Sequence, residues 1–335
     1  MEEYSFEEWK NRFKSRTIKE KPVGRFAPSP TGFMHLGNVW AALIAWLSVK
    51  QQDGTMILRV EDLDPDRSKP EFVDRVKSDM LWLGLDWDEG PDYGGDYGPY
   101  TQGERRDIYE SALNKFRKEG LVYPCFCTRK ELRASSAPHR EDGVILYGGQ
   151  CGRLSEFERS QRLGSERHSW RIRVPNQDVS FNDLNYGLVK QNISRDCGDF
   201  VLARTDGIHA YQLAVVVDDA LMGVDLVVRG ADLLDSTPRQ IFLHEKLGYE
   251  PPTFGHVPLL LGENADRLSK RHKAMDLGEL RMIGWKPEDV IGLLGYKAGL
   301  IDKIEPLKAI ELKTIFNWSK LPKKDITLFD DELKR

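Results

Sequence analysis

No stretch of the 335 residues approaches the roughly 18 apolar residues that a membrane span needs, and mean hydropathy is −0.50. The opening run, Met1-Glu-Glu-Tyr-Ser-Phe-Glu-Glu-Trp-Lys10, is acidic and amphipathic. It has no basic segment leading into an apolar one, so a secretory signal is not expected and a cytoplasmic chain is. Only four cysteines occur, which excludes a disulfide-stapled secreted fold at this length. Neither sign of charge dominates: 49 basic and 53 acidic side chains leave a net −4. A uniformly basic nucleic-acid footprint is absent. There is no internal repeat. At 40% hydrophobic and 30% charged residues, the chain is neither disordered nor fibrous.

What is present is unevenly distributed. Residues 53–110 hold 7 Lys/Arg against 16 Asp/Glu, residues 129–173 hold 10 against 6, and residues 267–335 hold 15 against 11. Two locally basic stretches are compatible with a polyanion partner and equally with an ordinary mixed surface. The length suggests roughly two domains. Val23–Ala27 reads as a strand, Pro28–Gly37 as a Pro/Gly-rich turn and Asn38–Lys50 as a buried helix. Thr55–Val60 is a second strand and Glu71–Leu83 an amphipathic helix, the rhythm of a parallel α/β sheet. Tyr93–Tyr100 reads as a loop and Glu104–Glu119 as a helix stopped by Gly120. Residues 121–200 lose the rhythm, with strand-like alternation at His168–Val174. It returns from Ile208, through Leu226–Arg229 and a helix at Thr237–Leu247. The tail from about residue 276 is helical.

Two segments carry phosphate chemistry. The turn Pro28–Asn38 offers backbone N–H groups and a helix N-terminus to an anion, with His35 as a side-chain donor. It lacks a Walker-type lysine, and an ordinary βα turn would look much the same. Asp266-Arg-Leu-Ser-Lys-Arg271 is a basic loop in which Lys270 can meet outer phosphates as a mobile point charge. A solvated basic loop is the plainer meaning of that hexamer alone.

Together these segments resemble the paired signatures of class I aminoacyl-tRNA synthetases. His35-Leu-Gly-Asn38 is similar to the HIGH element, and Arg267-Leu-Ser-Lys-Arg271 to the KMSKS loop. Arg25-Phe-Ala-Pro-Ser-Pro-Thr-Gly32, Arg59-Val-Glu-Asp-Leu-Asp64, Tyr211–Asp219 and Arg229–Arg239 resemble the glutamyl branch, in the family's order from about residue 22 to 330. The resemblance implies an α/β Rossmann-type catalytic domain with a zinc-binding insertion and a mostly helical, stem-contact-like C-terminal region. The expected division is 1–20 extension, 21–103 and 201–262 Rossmann halves, 104–200 insertion, and 263–335 KMSKS loop with stem-contact region. Residues 1–20 have no counterpart in the family pattern.

The resemblance also implies roles. Arg25, Phe26, Ala27, Pro28, Ser29, Glu61, Tyr211 and Arg229 are the expected glutamate pocket. The arginines suit two carboxylates and Glu61 suits the ammonium. His35, Gly37, Asn38, Leu259, Leu260, Ser269 and Lys270 are the expected ATP site, with Mg²⁺ on the phosphates. His35 and Lys270 are the expected catalytic groups, stabilising charge in adenylate formation.

Cys125 and Cys127, with Cys151, suggest a metal site. Three thiolates and one further ligand suit tetrahedral zinc. On residue type alone His139 is the first choice for that ligand. The pattern Cys125-x-Cys127 with Tyr147-x-x-x-Cys151, however, resembles the zinc site of glutamyl-Q tRNA(Asp) synthetases, where ordinary glutamyl enzymes more often end in Cys-x-His. It implies a structural zinc on Cys125, Cys127, Tyr147 and Cys151, while Cys197 reads as a core thiol. Only 64 residues follow Arg271, too few for an anticodon-binding module, and Val215 also fits that branch. The expected activity is tRNA-independent glutamate activation and transfer to the queuosine base of tRNA(Asp). The expected partners are ATP, L-glutamate and that RNA, with no membrane and a monomeric chain. The alternative is the catalytic part of an ordinary glutamyl-tRNA synthetase charging tRNA(Glu).

Overall fold

The computed structural model describes residues 4–13, 21–128, 130–132, 147–264 and 276–333. The elements run α1 Phe6–Arg12, β1 Val23–Phe26, α2 Leu36–Lys50, β2 Thr55–Leu58, α3 Pro70–Trp82, α4 Arg106–Lys118, β3 Val122–Cys125 and α5 Glu156–Leu163. They continue β4 Ser169–Ile172, β5 Asp178–Asp183, β6 Gly187–Asn192, β7 Phe200–Ala203, α6 Tyr211–Leu221, β8 Leu226–Gly230, α7 Thr237–Leu247, β9 Thr253–Val257 and β10 Leu260–Leu261. The tail holds α8 Leu277–Met282, α9 Pro287–Lys297, α10 Ala309–Lys313, β11 Ile326–Thr327 and α11 Asp330–Leu333. No helix of the described residues is long and apolar enough to cross a membrane.

A parallel sheet in the order β2-β1-β8-β9 forms the centre. Its strands are short and apolar because both faces are covered. Alternate side chains serve opposite layers. Met56, Leu58, Leu226, Val228 and Val257 join one core with α2, α3 and the C-terminal helices. Val23, Ile57, Val227 and Phe254 join the other, with α4, α6 and α7. Gly24 is dictated by packing: a Cβ there would collide with Val49 of α2. This α/β sheet with a mostly helical tail is the expected fold class.

The stretch 121–200 is antiparallel. β3, β4 and β7 form one sheet, and β5 pairs with β6 from Asp178↔Asn192 to Asp183↔Gly187. The hairpin is tied to the central sheet where the Leu184 N–H donates to the Phe254 carbonyl at 2.9 Å. The helix read at 104–119 is α4, and its Ile108, Tyr109, Ala112, Leu113 and Phe116 pack in the core shared with α6 and α7. The extension is partly helical. Ser5 and Glu8 cap α1 reciprocally, and Phe6 and Phe13 are buried in the same core.

Candidate active site and thiol cluster

The two-residue period of the strands assembles the charged centre. Arg25, Arg59, Arg229 and His256 each lie two positions beyond Val23, Ile57, Val227 and Phe254, so all four share the face covered by α6. That helix carries Asp218 and Asp219, both buried. Asp219 Oδ1 accepts from Arg59 at 2.6 Å and lies 3.5 Å from Arg25 Nε. Asp218 accepts from Arg105 at 2.6 Å and from Gln102 at 2.8 Å. Arg59 is fully buried and also donates to Glu61 Oε1 at 3.1 Å. Burial opposes its charge, but Asp219, Asp218 and Glu61 outweigh that and raise its pKa. Asp219 is held low by Arg59 and Arg25 against the pull of its own burial. For Glu61 the balance runs the other way: burial outweighs Arg59 and Arg25, and its pKa is raised.

The turn after β1 is stitched to the end of β2. The carbonyls of Phe26 and Pro28 accept from the N–H groups of Arg59 and Glu61, each at 3.0 Å. This brings Glu61 into the field of Arg25. Tyr211, at the start of α6, feels Arg229, Glu61 and Arg25 together, and burial raises its phenol pKa ahead of those charges. Arg25, Glu61, Tyr211 and Arg229 therefore converge on one crevice at the carboxyl edge of the sheet. Phe26, Ala27 and Pro28 are half-buried beside it, and Ser29 is exposed at its rim.

Arg229 is 5% exposed. It donates to His256 Nε2 at 3.0 Å, Gln240 Oε1 at 2.7 Å, Thr237 Oγ1 at 2.9 Å and the Leu233 carbonyl at 3.3 Å. All four acceptors are neutral groups, and burial, the largest influence, lowers its pKa. Among the described residues no carboxylate lies within ion-pair range of Arg229. A buried cation without a direct counter-charge is what a ligand carboxylate can complete.

His35 is the N-cap of α2, and Asn38 Oδ1 accepts its backbone N–H at 3.3 Å. The His35 ring nitrogen Nδ1 is buried with no partner among the described residues, and burial lowers the ring pKa. The ring folds over Gly37, where a Cβ would approach it to 3.0 Å. An imidazole with a spare nitrogen at the N-terminus of a 15-residue helix is suited to an anion. Leu277 N–H donates to the Met34 carbonyl at 3.1 Å, so the chain leaving the basic loop is fastened beside this turn. Ser269 and Lys270 lie outside the described residues. The Leu259 N–H and carbonyl are taken by Asp325 and Ile326 at 2.9 and 2.8 Å. Pairing with β11 engages Leu259 and Leu261 and leaves the polar backbone of Leu260 on the opposite edge.

The second constellation is at the end of β3. The sulfurs of Cys125, Cys127 and Cys151 all lie within 4.8 Å of one another. Cys127 and Cys151 are 3.5 Å apart, and Cys151 Sγ also accepts from the Phe126 N–H at 3.4 Å. The Tyr147 hydroxyl accepts from the Cys151 N–H at 2.8 Å and hydrogen-bonds the thiols of Cys125 and Cys151. Burial and the adjacent sulfurs push Cys127 up to about 12. Burial also raises the Cys125 thiol, but its bond with Tyr147 and other partners bring it below the usual value. Three crowded thiols with an oxygen donor fit a divalent cation with tetrahedral, sulfur-rich preference. His139 lies outside the described residues. Cys197 sits in the main core, away from this cluster.

Residues 22–334 match the model of the tRNA synthetases class I (E and Q) catalytic domain. A Symbiobacterium thermophilum protein named glutamyl-Q tRNA(Asp) synthetase is 48% identical over 310 residues, 91% of this chain and 95% of its own. One of the same name from Nitratidesulfovibrio vulgaris is 45% identical, with 93% and 97% covered. This chain belongs to the class I (E and Q) tRNA synthetase family, in its glutamyl-Q tRNA(Asp) synthetase branch. A glutamate–tRNA ligase of Natranaerobius thermophilus is also 45% identical, over 81% of this chain but 56% of its own. The fold matches a crystal structure of a glutamate tRNA ligase from Elizabethkingia meningosepticum in complex with its amino acid. The TM-score is 0.82 and the identity 30%, over 94% of this chain and 68% of that one.

Sequence reasoning singled out Arg25, Glu61, Tyr211 and Arg229 but gave no role to Arg59, Asp218, Asp219, Asp183 or His256. One signal was available. Two adjacent aspartates end the apolar run Leu213-Ala-Val-Val-Val217, and carboxylates on a buried helix face call for buried cations.

Proposed function

We propose that the chain activates L-glutamate with ATP and transfers the glutamyl group to the queuosine base of tRNA(Asp). The observation that carries this is the near end-to-end similarity, at 48% and 45% identity, to proteins of that name. The α-carboxylate oxygen attacks the ATP α-phosphorus and pyrophosphate leaves. A queuosine hydroxyl then attacks the acyl carbon and AMP leaves. Neither step asks the protein for covalent chemistry, so its contribution is positioning and charge stabilisation. Arg25 and Arg229 receive the two carboxylates, Glu61 the ammonium, and Tyr211 and Ser29 supply hydroxyls. The half-buried Phe26, Ala27 and Pro28 wall the pocket. His35, with Gly37 and Asn38 at the start of α2, serves the α-phosphate. Lys270 and Ser269 serve the departing phosphates with Mg²⁺, and Leu260 presents backbone to adenine beside Leu259. Cys125, Cys127, Tyr147 and Cys151 hold one zinc, which supplies a structural cross-link since four protein ligands leave no open position.

Two assays test this reading. Glutamate-dependent ATP–pyrophosphate exchange should proceed without tRNA. Labelled glutamate should pass to tRNA(Asp) containing queuosine and not to tRNA(Asp) lacking it. Equal labelling of the two, or preferential labelling of tRNA(Glu), would transfer the assignment to ordinary glutamyl-tRNA synthesis.

A further inference from the structure

Arg229 and His256 are register partners on β8 and β9, so their side chains leave the same face side by side. The Arg229 Nε–H donates to His256 Nε2 at 3.0 Å. A guanidinium N–H only donates, so that ring nitrogen carries the lone pair and the proton sits on Nδ1. His256 Nδ1 is 2.6 Å from Asp183 Oδ2. Both side chains are fully buried. Burial lowers the histidine pKa, which keeps the ring neutral between its two charged neighbours. Asp183 is itself fixed. Its Oδ1 accepts from the N–H groups of Asn185 and Tyr186, each at 3.0 Å, and its Oδ2 from the His256 N–H at 3.1 Å. Asp183 ends β5, at the turn of the β5–β6 hairpin.

We propose that Asp183 and His256 are positioning residues for glutamate recognition, forming a relay Asp183–His256–Arg229 through which the β5–β6 hairpin sets the orientation of the carboxylate-binding guanidinium. The proposal rests on Arg229 being part of the glutamate pocket. The carboxylate selects one imidazole tautomer, and the tautomer presents an acceptor to Nε. That acceptor fixes the plane of the fork while its neutrality leaves the arginine's charge uncancelled for substrate. A carboxylate in direct contact with Arg229 would fix the plane equally well, but it would also compete with the ligand. The relay separates orientation from neutralisation.

Asp183→Asn is the informative change because it is isosteric. Its carbonyl oxygen takes the Oδ1 position, where backbone N–H groups of Asn185 and Tyr186 demand an acceptor. The amide NH₂ then faces the His256 backbone N–H, which loses an acceptor, and His256 Nδ1, where it forces the other tautomer and sets Nε2–H against the Arg229 Nε–H. In pyrophosphate exchange the glutamate KM should rise about 10- to 100-fold, the range expected when a buried donor is left facing a donor at a positioning contact. The ATP KM should stay put. A role confined to capping the hairpin would instead lower the unfolding midpoint and leave the glutamate KM where it was, and that result overturns the proposal. If Asp183→Asn fails to fold, His256→Gln and His256→Phe replace it. The glutamine retains an oxygen acceptor and should raise the glutamate KM less than the phenylalanine does; equal values overturn the proposal. Arg229→Ala is the control. An unchanged glutamate KM there overturns the pocket reading and the relay with it. A raised KM in Arg229→Ala but not in Asp183→Asn overturns the relay alone.

Discussion

The charged crevice proposed for glutamate and the thiol cluster are both polar sites enclosed by the chain, but they are held together in opposite ways. The crevice sits on the sheet face covered by α6, and the charges behind it neutralise one another, Arg59 with Asp218 and Asp219 and Arg105 with Asp218, while Arg229 keeps neutral partners. The thiol cluster belongs to a small core in which, among the described residues, only Tyr123, Phe126 and Tyr147 are buried besides two of the cysteines themselves. So few apolar groups contribute little cohesion, and three sulfurs crowd one another within 4.8 Å, an arrangement a cation would balance. One site is held by the fold's own ion pairs, whereas the other is the kind of cluster that a bound metal would hold together.

That contrast breaks most visibly at the arginines. Arg229→Ala leaves Gln240, Thr237 and His256 facing a cavity and removes a carboxylate partner from the substrate. Losing one partner of a buried charged pair costs about 3–5 kcal/mol, or two to four decades in kcat/KM for glutamate. Arg25→Ala should fall in the same range. Pyrophosphate exchange over a wide glutamate range measures both, and a loss below tenfold would mean that neither fork meets a substrate carboxylate.

Asp219→Asn tests whether the crevice is self-supporting. Among the described residues this carboxylate alone contacts both Arg59 and Arg25. Its neutralisation should cost about 3 kcal/mol in denaturant unfolding and weaken glutamate use as well. Full stability with normal kinetics would show that the network is incidental.

Chelation probes the other site. Removing the proposed zinc should expose residues 121–200 to protease while pyrophosphate exchange falls by less than about tenfold, because the proposed set of four protein ligands leaves no open position for catalysis. Cys151→Ser should behave likewise. Metal analysis finding no zinc in freshly purified protein would end the assignment.

Much of this was legible in the sequence. The strand–turn–helix rhythm located β1, α2, β2 and α3 to within a few residues, because short apolar strands and a tryptophan-rich helix have unambiguous periods. The motif blocks led to Arg25, Glu61, Tyr211 and Arg229. The β5–β6 hairpin was missed because its signal is short and one-sided: Val179 and Phe181 alternate with polar neighbours in β5, but in β6 Leu188 and Val189 are adjacent and neither is buried, so the alternation does not continue into the partner strand. Asp183 and His256 were illegible for a different reason. They are 73 residues apart, and only the docking of that hairpin on β9 makes them neighbours.

The smallest expected effect is a pH dependence confined to the crevice. Burial raises the pKa of Glu61 above its ordinary 4.5 despite Arg59 and Arg25. Only the ionised form pairs with the substrate ammonium. As pH falls, the glutamate KM should therefore begin to climb at a higher pH than an ordinary carboxylate would dictate, by at most about tenfold per unit. Above that region it should be flat. The substrate γ-carboxyl also titrates in acid, so the comparison is with Glu61→Gln, which keeps the substrate's own titration and lacks the enzyme's. The variant should bind glutamate more weakly at neutral pH and lose the early rise. If the ratio of the two KM values is constant between pH 4.5 and 7, Glu61 does not meet the ammonium, and the crevice owes its ligand preference to the arginines alone.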